Sequence, residues 1–161
     1  MRLADIPDRL RSETLEMAQQ VDVGLRLAVI ARPTREEALQ VAYSLIDGPE
    51  VKQQEKSLVQ ASDSVSIKAT YELADTEWLS DCMWTGAVRA YGPTSIALVG
   101  SSEEVASAFI DYKRIGVSQF ILAGWPKLGE MTRFGSEVLP LIRQKEAELA
   151  DRNVAAGTAS I

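Results

Sequence analysis

Apolar positions along this chain fall into two kinds of run. Val21–Ala31 (VDVGLRLAVIA), Ser95–Gly100 (SIALVG) and Val117–Gly124 (VSQFILAG) are short and dense, as buried strands are. Elsewhere apolar residues recur at helical spacing: Ala38, Val41, Ala42 and Leu45, then Val105, Phe109 and Tyr112. Thr34 with Glu37, and Ser101 with Glu104, have capping-box spacing. Glu36, Glu37, Glu103 and Glu104 suit the positive end of a helix dipole. Asp47-Gly48-Pro49 ends the first of these helices, and Lys113, Arg114 and Gly116 end the second. A further helix runs from about Leu128 to beyond Arg143, with Pro140 expected to kink or split it. Near the start, Asp8 can cap a helix over Arg9–Gln20.

The two faces of the first strand differ. Val23, Leu25, Leu27 and Val29 form an apolar face; Asp22, Gly24, Arg26, Ala28 and Ile30 form a smaller, more polar one. Arg26 points into a barrel interior if the sheet closes, or into solvent if this face is open. Glu50–Pro93 breaks the rhythm and reads as an insertion of helical pieces, with Tyr71, Trp78, Leu79 and Met83 as apolar anchors. It ends in a glycine-flanked stretch, Trp84–Pro93, expected to be mobile. Ala150–Ile161 is small and polar without periodicity, so one domain over 1–147 and a disordered tail over 148–161 are expected.

The order predicts an α/β chain with three parallel strands. In such folds chemistry gathers past the carboxyl ends of the strands. Gly124-Trp125-Pro126-Lys127, which follows the last strand, is therefore the place to look for a site. Three parallel strands alone leave open edges, whereas a closed parallel barrel needs eight.

Composition narrows the chemistry. The 161 residues carry a net charge of −6, which opposes nucleic-acid binding. The absence of histidine removes the commonest general base and metal ligand. One cysteine, Cys82, excludes an internal disulfide and a multi-thiolate metal site, and without a neighbouring base it reads as packing. Asp111 and the Glu pairs lack a metal-ligand partner set, so no metal is expected. Ser101 and Ser102 read as helix caps, with anion binding the alternative. Phe109, Phe120 and Phe134 read as core. The N-terminus lacks the core and cleavage site of a signal peptide, and no apolar run is long enough to span a membrane. A cytoplasmic protein is the expectation.

GLRLAVIARPTREEALQVAYSLI and WTGAVRAYGPTSIALVGSSEEVASAFIDYKRIGVSQFILAGWPKLGEMTRFGSEVLPLIR, in that order, resemble the C-terminal part of bacterial-luciferase-like flavin monooxygenases. The similarity is greatest to the FMNH₂-dependent alkanesulfonate monooxygenases and runs from about Asp8 to Arg143. It implies the C-terminal part of a TIM (β/α)8 barrel: three parallel strands with flanking helices and a helical insertion. The front of such a barrel would come from elsewhere, as after gene splitting, truncation or a misplaced start. The reaction it implies uses reduced FMN from an NAD(P)H flavin reductase, and O₂, to oxygenate the carbon bearing a sulfonate, giving an aldehyde and sulfite.

By the same resemblance Arg26 matches a strand arginine suited to a sulfonate or a flavin-borne oxygen. The family often has His two residues later; here Ala28 stands there. After the last strand Trp125 and Lys127 stand where Tyr and His are common. Trp125 keeps a π-face and a donor but cannot act as an acid. Lys127 either binds an anion or is solvated. Arg89 replaces a loop arginine, or is a surface residue. The implied catalytic residues are Arg26, Trp125 and Arg89; Trp125, Gly124 and Lys127 would contact FMN. The partners would be a front-half chain or a second copy. Two alternatives stand beside this reading: a non-catalytic barrel remnant that dimerises or serves as a flavin-binding scaffold, and an F420-using relative.

Overall fold

The computed structural model describes residues 22–47, 65–124 and 127–158. The helix expected over Arg9–Gln20, the polar segment 51–64 and Trp125 lie outside the described residues.

Strand β1, Val23–Arg32, is buried from Leu27 through Ala31. Helix α1, Arg35–Ile46, follows, with the Thr34 hydroxyl accepting the Glu37 N–H at 3.2 Å. Strand β3, Ala97–Ser101, leads into helix α4, Ser102–Arg114. The capping box is complete there: Ser101 Oγ accepts the Glu104 N–H at 3.2 Å, and Glu104 Oε2 accepts the Ser101 N–H at 2.8 Å. Strand β4, Val117–Gly124, has the expected bounds.

β1, β3 and β4 are parallel, as expected for an α/β chain. Their order departs from that of consecutive barrel strands. With a short strand β2, Met83–Trp84, at one edge, the sheet reads β2-β3-β1-β4, so β1 rather than β3 is central. The physical reason lies in composition. β1 is the longest and most continuously apolar strand, and the centre of a parallel sheet is where both faces are covered. Stepping from β1 to β3 and then back across to β4 with right-handed crossovers puts the two connecting helices on opposite faces. Accordingly α1 covers Ala28, Ile30, Ala97 and Val99, while α4 covers Leu27, Val29 and Leu98.

The insertion contains helix α2, Val65–Leu73, as expected, and helix α3, Val88–Tyr91, in the stretch expected to be mobile, where Trp84, Thr85, Ala87, Val88 and Ala90 are instead packed into the core. It also contains a strand that the sequence reading assigned to no strand: β2, Met83–Trp84, antiparallel to β3. Met83 packs into the α4 face and Trp84 into the α1 face. That is strand alternation, but two residues are too few to display a period.

After β4 come helix α5, Lys127–Arg133, a π-helical turn, Phe134–Val138, and helix α6, Leu139–Thr158. Pro140 has no N–H to donate, and the widened turn just before it relieves the missing bond without breaking the helix. The segment expected to be a disordered tail is helical as far as Thr158. Its run of good helix formers, Ala147, Glu148, Leu149 and Ala150, continues α6 without needing an amphipathic stripe. Among the described residues no helix is long and apolar enough to cross a membrane.

Candidate active site

The carboxyl ends of the parallel strands meet in one rim. Arg32 at the end of β1 pairs in register with Ser101 at the end of β3, and Gly124 at the end of β4 pairs with Val29. The charged side chains here come from these strand ends and from the helices that follow them.

Arg32 forms an ion pair with Glu130 of α5 and donates to the Ala31 carbonyl at 2.6 Å. Glu130 is 3% exposed, the only charged residue among the buried ones described. Gly124 makes its approach possible: a β-carbon at that position would collide with Glu130 Cβ. The glycine is thus required by close packing rather than by backbone freedom.

Arg35, at the start of α1, reaches Glu104 Oε1 at 3.2 Å, the Asp81 carbonyl, and Cys82 Sγ at 4.0 Å. Its guanidinium lies 5.5 Å from the Trp78 ring centroid, a cation–π contact. Burial pushes the Glu104 carboxyl up. The backbone N–H and hydroxyl of Ser101, with Arg35, outweigh that and hold it below the usual carboxylate range. Burial, with the Glu104 charge, pushes the Cys82 thiol up against the opposing effect of Arg35. Cys82 is therefore a protonated, packed thiol and no nucleophile. A third pair, Arg133 with Glu137 at 2.9 Å, adjoins Ser102, whose hydroxyl donates to Glu137 at 3.3 Å.

The rim therefore holds three guanidinium groups, each facing a carboxylate. Guanidinium groups are the donors of choice for sulfonate or phosphate. Here their first partners are the chain's own carboxylates, and an anion would have to compete with these. Among the described residues no group of three or more His, Cys, Asp or Glu is placed to hold a metal. A cleft of about 180 Å³ lies between α4 and α6, lined by residues such as Asp111, Arg114 and Lys145. It is away from the rim and smaller than the roughly 300 Å³ at which ligand pockets begin.

The residues singled out from the sequence do not all converge here. Gly124 is at the rim, and Lys127 is an exposed residue beginning α5. Arg26 is exposed on the half of β1 away from the rim, abreast of Ile121. Six residues of extended chain put it ~20 Å along the strand from Arg32. Arg89 sits on α3 with an ion pair to Asp75. Ser101 and Ser102 are held by the chain's own carboxylates. Sequence reasoning missed Arg32, Arg35 and Glu130. The signal for the two arginines was present: the rule that directs attention past β4 applies equally past β1, where the chain reads Arg32-Pro33-Thr34-Arg35.

No family model matches the chain. It is 33% identical over 147 residues to sulfoquinovose monooxygenase of Agrobacterium fabrum, a match covering 86% of this chain and 38% of that protein. A crystal structure of riboflavin lyase, solved with modified FMN and the substrate riboflavin, resembles it with a TM-score of 0.62 and 22% identity. That likeness covers 89% of this chain and 36% of the lyase, and speaks to the fold alone. The chain thus spans under two-fifths of the length of either relative. Within that span, the likeness to sulfoquinovose monooxygenase supports the resemblance to luciferase-like flavin monooxygenases that its strand and helix motifs carry.

Proposed function

We propose that this chain is the C-terminal segment of a flavin-dependent monooxygenase of the alkanesulfonate type, acting together with the front half of the barrel. The observation that carries this reading is the kinship with sulfoquinovose monooxygenase along most of the chain. In that role the segment contributes three parallel strands, ordered β3-β1-β4 in this structure, to the larger fold. The flavin, reduced FMN supplied by a separate reductase, brings the oxygen chemistry. The chain's own residues hold and shield it. The fit at the rim is partial and uneven: exposed Lys127 beside Gly124 suits an anionic group, whereas Arg32 and Arg35 already face Glu130 and Glu104. The cation left for the sulfonate is Arg26, exposed on β1.

The internal neutralisation of the rim favours a second reading, a non-catalytic remnant of the barrel that serves as a scaffold. Titration with FMN and FMNH₂, alone and with a co-expressed front half, separates the two. Tight flavin binding only with the partner, and sulfite release from a sulfonate, supports the monooxygenase. No binding under either condition supports the scaffold. In the complemented protein Arg26→Ala is expected to lower turnover more than tenfold, and an unchanged rate removes Arg26 from the site.

A further inference from the structure

A parallel barrel seats its strands in chain order, each between the one before and the one after. In that order β1 carries an earlier strand on one side and β3 on the other, and β4 lies on the far side of β3. The sheet here departs from it at two places. β4 pairs with β1, on the side where the earlier strand belongs. β2 pairs with β3, on the side where β4 belongs. Both edges that a barrel uses are thus occupied by substitutes from within this chain.

The two substitutes are held differently. β2 offers only Met83 and Trp84 to the ladder, but Trp84 is fully buried. β4 is longer and less covered. It is buried only at its ends, Val117 and Gly124, whereas β1 is buried from Leu27 through Ala31 and β3 from Ala97 through Gly100. Ser118 and Gln119 are exposed, and Ile121 is 64% exposed although it is a large apolar residue on a strand. The register between β1 and β4 slips at Val23/Gly24. Two anchors oppose its departure: the Phe120 ring against Phe109, and the ion pair from Arg32 of β1 to Glu130 of α5.

We infer that β4 is an exchangeable strand: seated on β1 it closes that edge against the front half of the barrel, and joining the front half transfers it to β3. For the arrival of a front half this rests on the proposed function; the present seating of β4 rests on the strand pairing alone.

Gly24 supplies the test. A β-carbon there lies 3.9 Å from Gln119 Cβ, within the roughly 3.5–4.5 Å that a disulfide spans. Gly24→Cys with Gln119→Cys therefore reports whether β4 sits on β1, with Cys82→Ala removing the chain's own thiol. Ala28→Cys with Ala97→Cys, register partners across β1 and β3, is the control, because those strands are neighbours in either order. Each pair is oxidised with glutathione disulfide in this chain alone, and again in the chain fused behind the part of sulfoquinovose monooxygenase that precedes the match. The expected result is that both bridges form in the chain alone, and that fusion abolishes the 24–119 bridge and keeps the 28–97 bridge. A 24–119 bridge that persists in the fused protein overturns the inference. So does one that fails to form in the chain alone, or one lost together with the control. FMN titration of the fused protein addresses the other reading. Flavin binding with the 24–119 bridge retained leaves the proposed function standing without the exchange. Loss of that bridge alone, without flavin binding, leaves the exchange standing without the proposed function.

Discussion

The two faces of the sheet are filled by opposite means. Under α4 and α6 the space is shared among many large side chains: Leu27, Val29, Leu98, Phe109, Ile110, Val138 and Ile142. Phe109 meets Phe120 and Phe134 edge to face, with centroids 4.8 and 5.6 Å apart. Under α1 the lining is mostly alanine, at positions 28, 38, 42, 87 and 97, and one indole fills what the alanines leave. Trp84 is fully buried, meets Tyr43 and Trp78, and donates its ring N–H to Glu77 Oε1 at 3.1 Å. Gly86 has no side chain where one would strike that indole. The first face is redundant, and loss of one member can be partly absorbed by its neighbours. The second depends on a single residue delivered by a two-residue strand.

The largest expected effect tests that asymmetry. Trp84→Ala is expected to cost about 4–5 kcal/mol and Phe109→Ala about 3 kcal/mol, within the range for buried aromatics, because the alanine-lined space cannot collapse. Urea unfolding measures both, and equal or reversed costs would remove the distinction. A smaller effect comes from Gly86→Ala, which forces the indole to move and is expected to cost about 1–3 kcal/mol. Gly135→Ala is the control: a β-carbon there meets nothing, and a change of under about 1 kcal/mol, toward greater stability, is expected.

The smallest effect concerns the tie between the faces, since Arg35 begins α1 and Glu104 lies in the first turn of α4. The folded protein holds Glu104 below the ordinary carboxylate value of 4.5. Its contribution is therefore present above that value and is lost as pH falls through the lower folded one. Glu104→Gln is expected to flatten the acid side of a melting-temperature profile and to leave the slope near neutrality unchanged. An unaltered acid slope would show that the tie is made elsewhere.

How far the sequence revealed this arrangement follows from the range of each interaction. The three long strands, both capped helices and the end of β4 depend on neighbours within a few residues, and pattern reading finds them. Strand order depends on which strand gains most from cover on both faces, a comparison among distant segments. Arg32 and Glu130 are 98 residues apart, and nothing in either local stretch announces the other. Met83 looks like an anchor of a helical insertion and Trp84 like the start of a mobile stretch, and only the partner strand turns them to opposite faces. The helical run through Ala150 was hidden for another reason: it lacks a stripe, and a helix continued by propensity leaves no periodic mark. Of the candidate residues around the end of β4, Gly124 proved informative through what packs against it, a fact invisible in its identity.

Cys82 carries a last consequence. It is the chain's sole sulfhydryl, and it lies buried where β2 is laid against β3. An aqueous thiol reagent can reach it only when that edge parts, so its modification rate counts those openings. That sulfur serves as a natural gauge of how often the insertion lifts from the sheet.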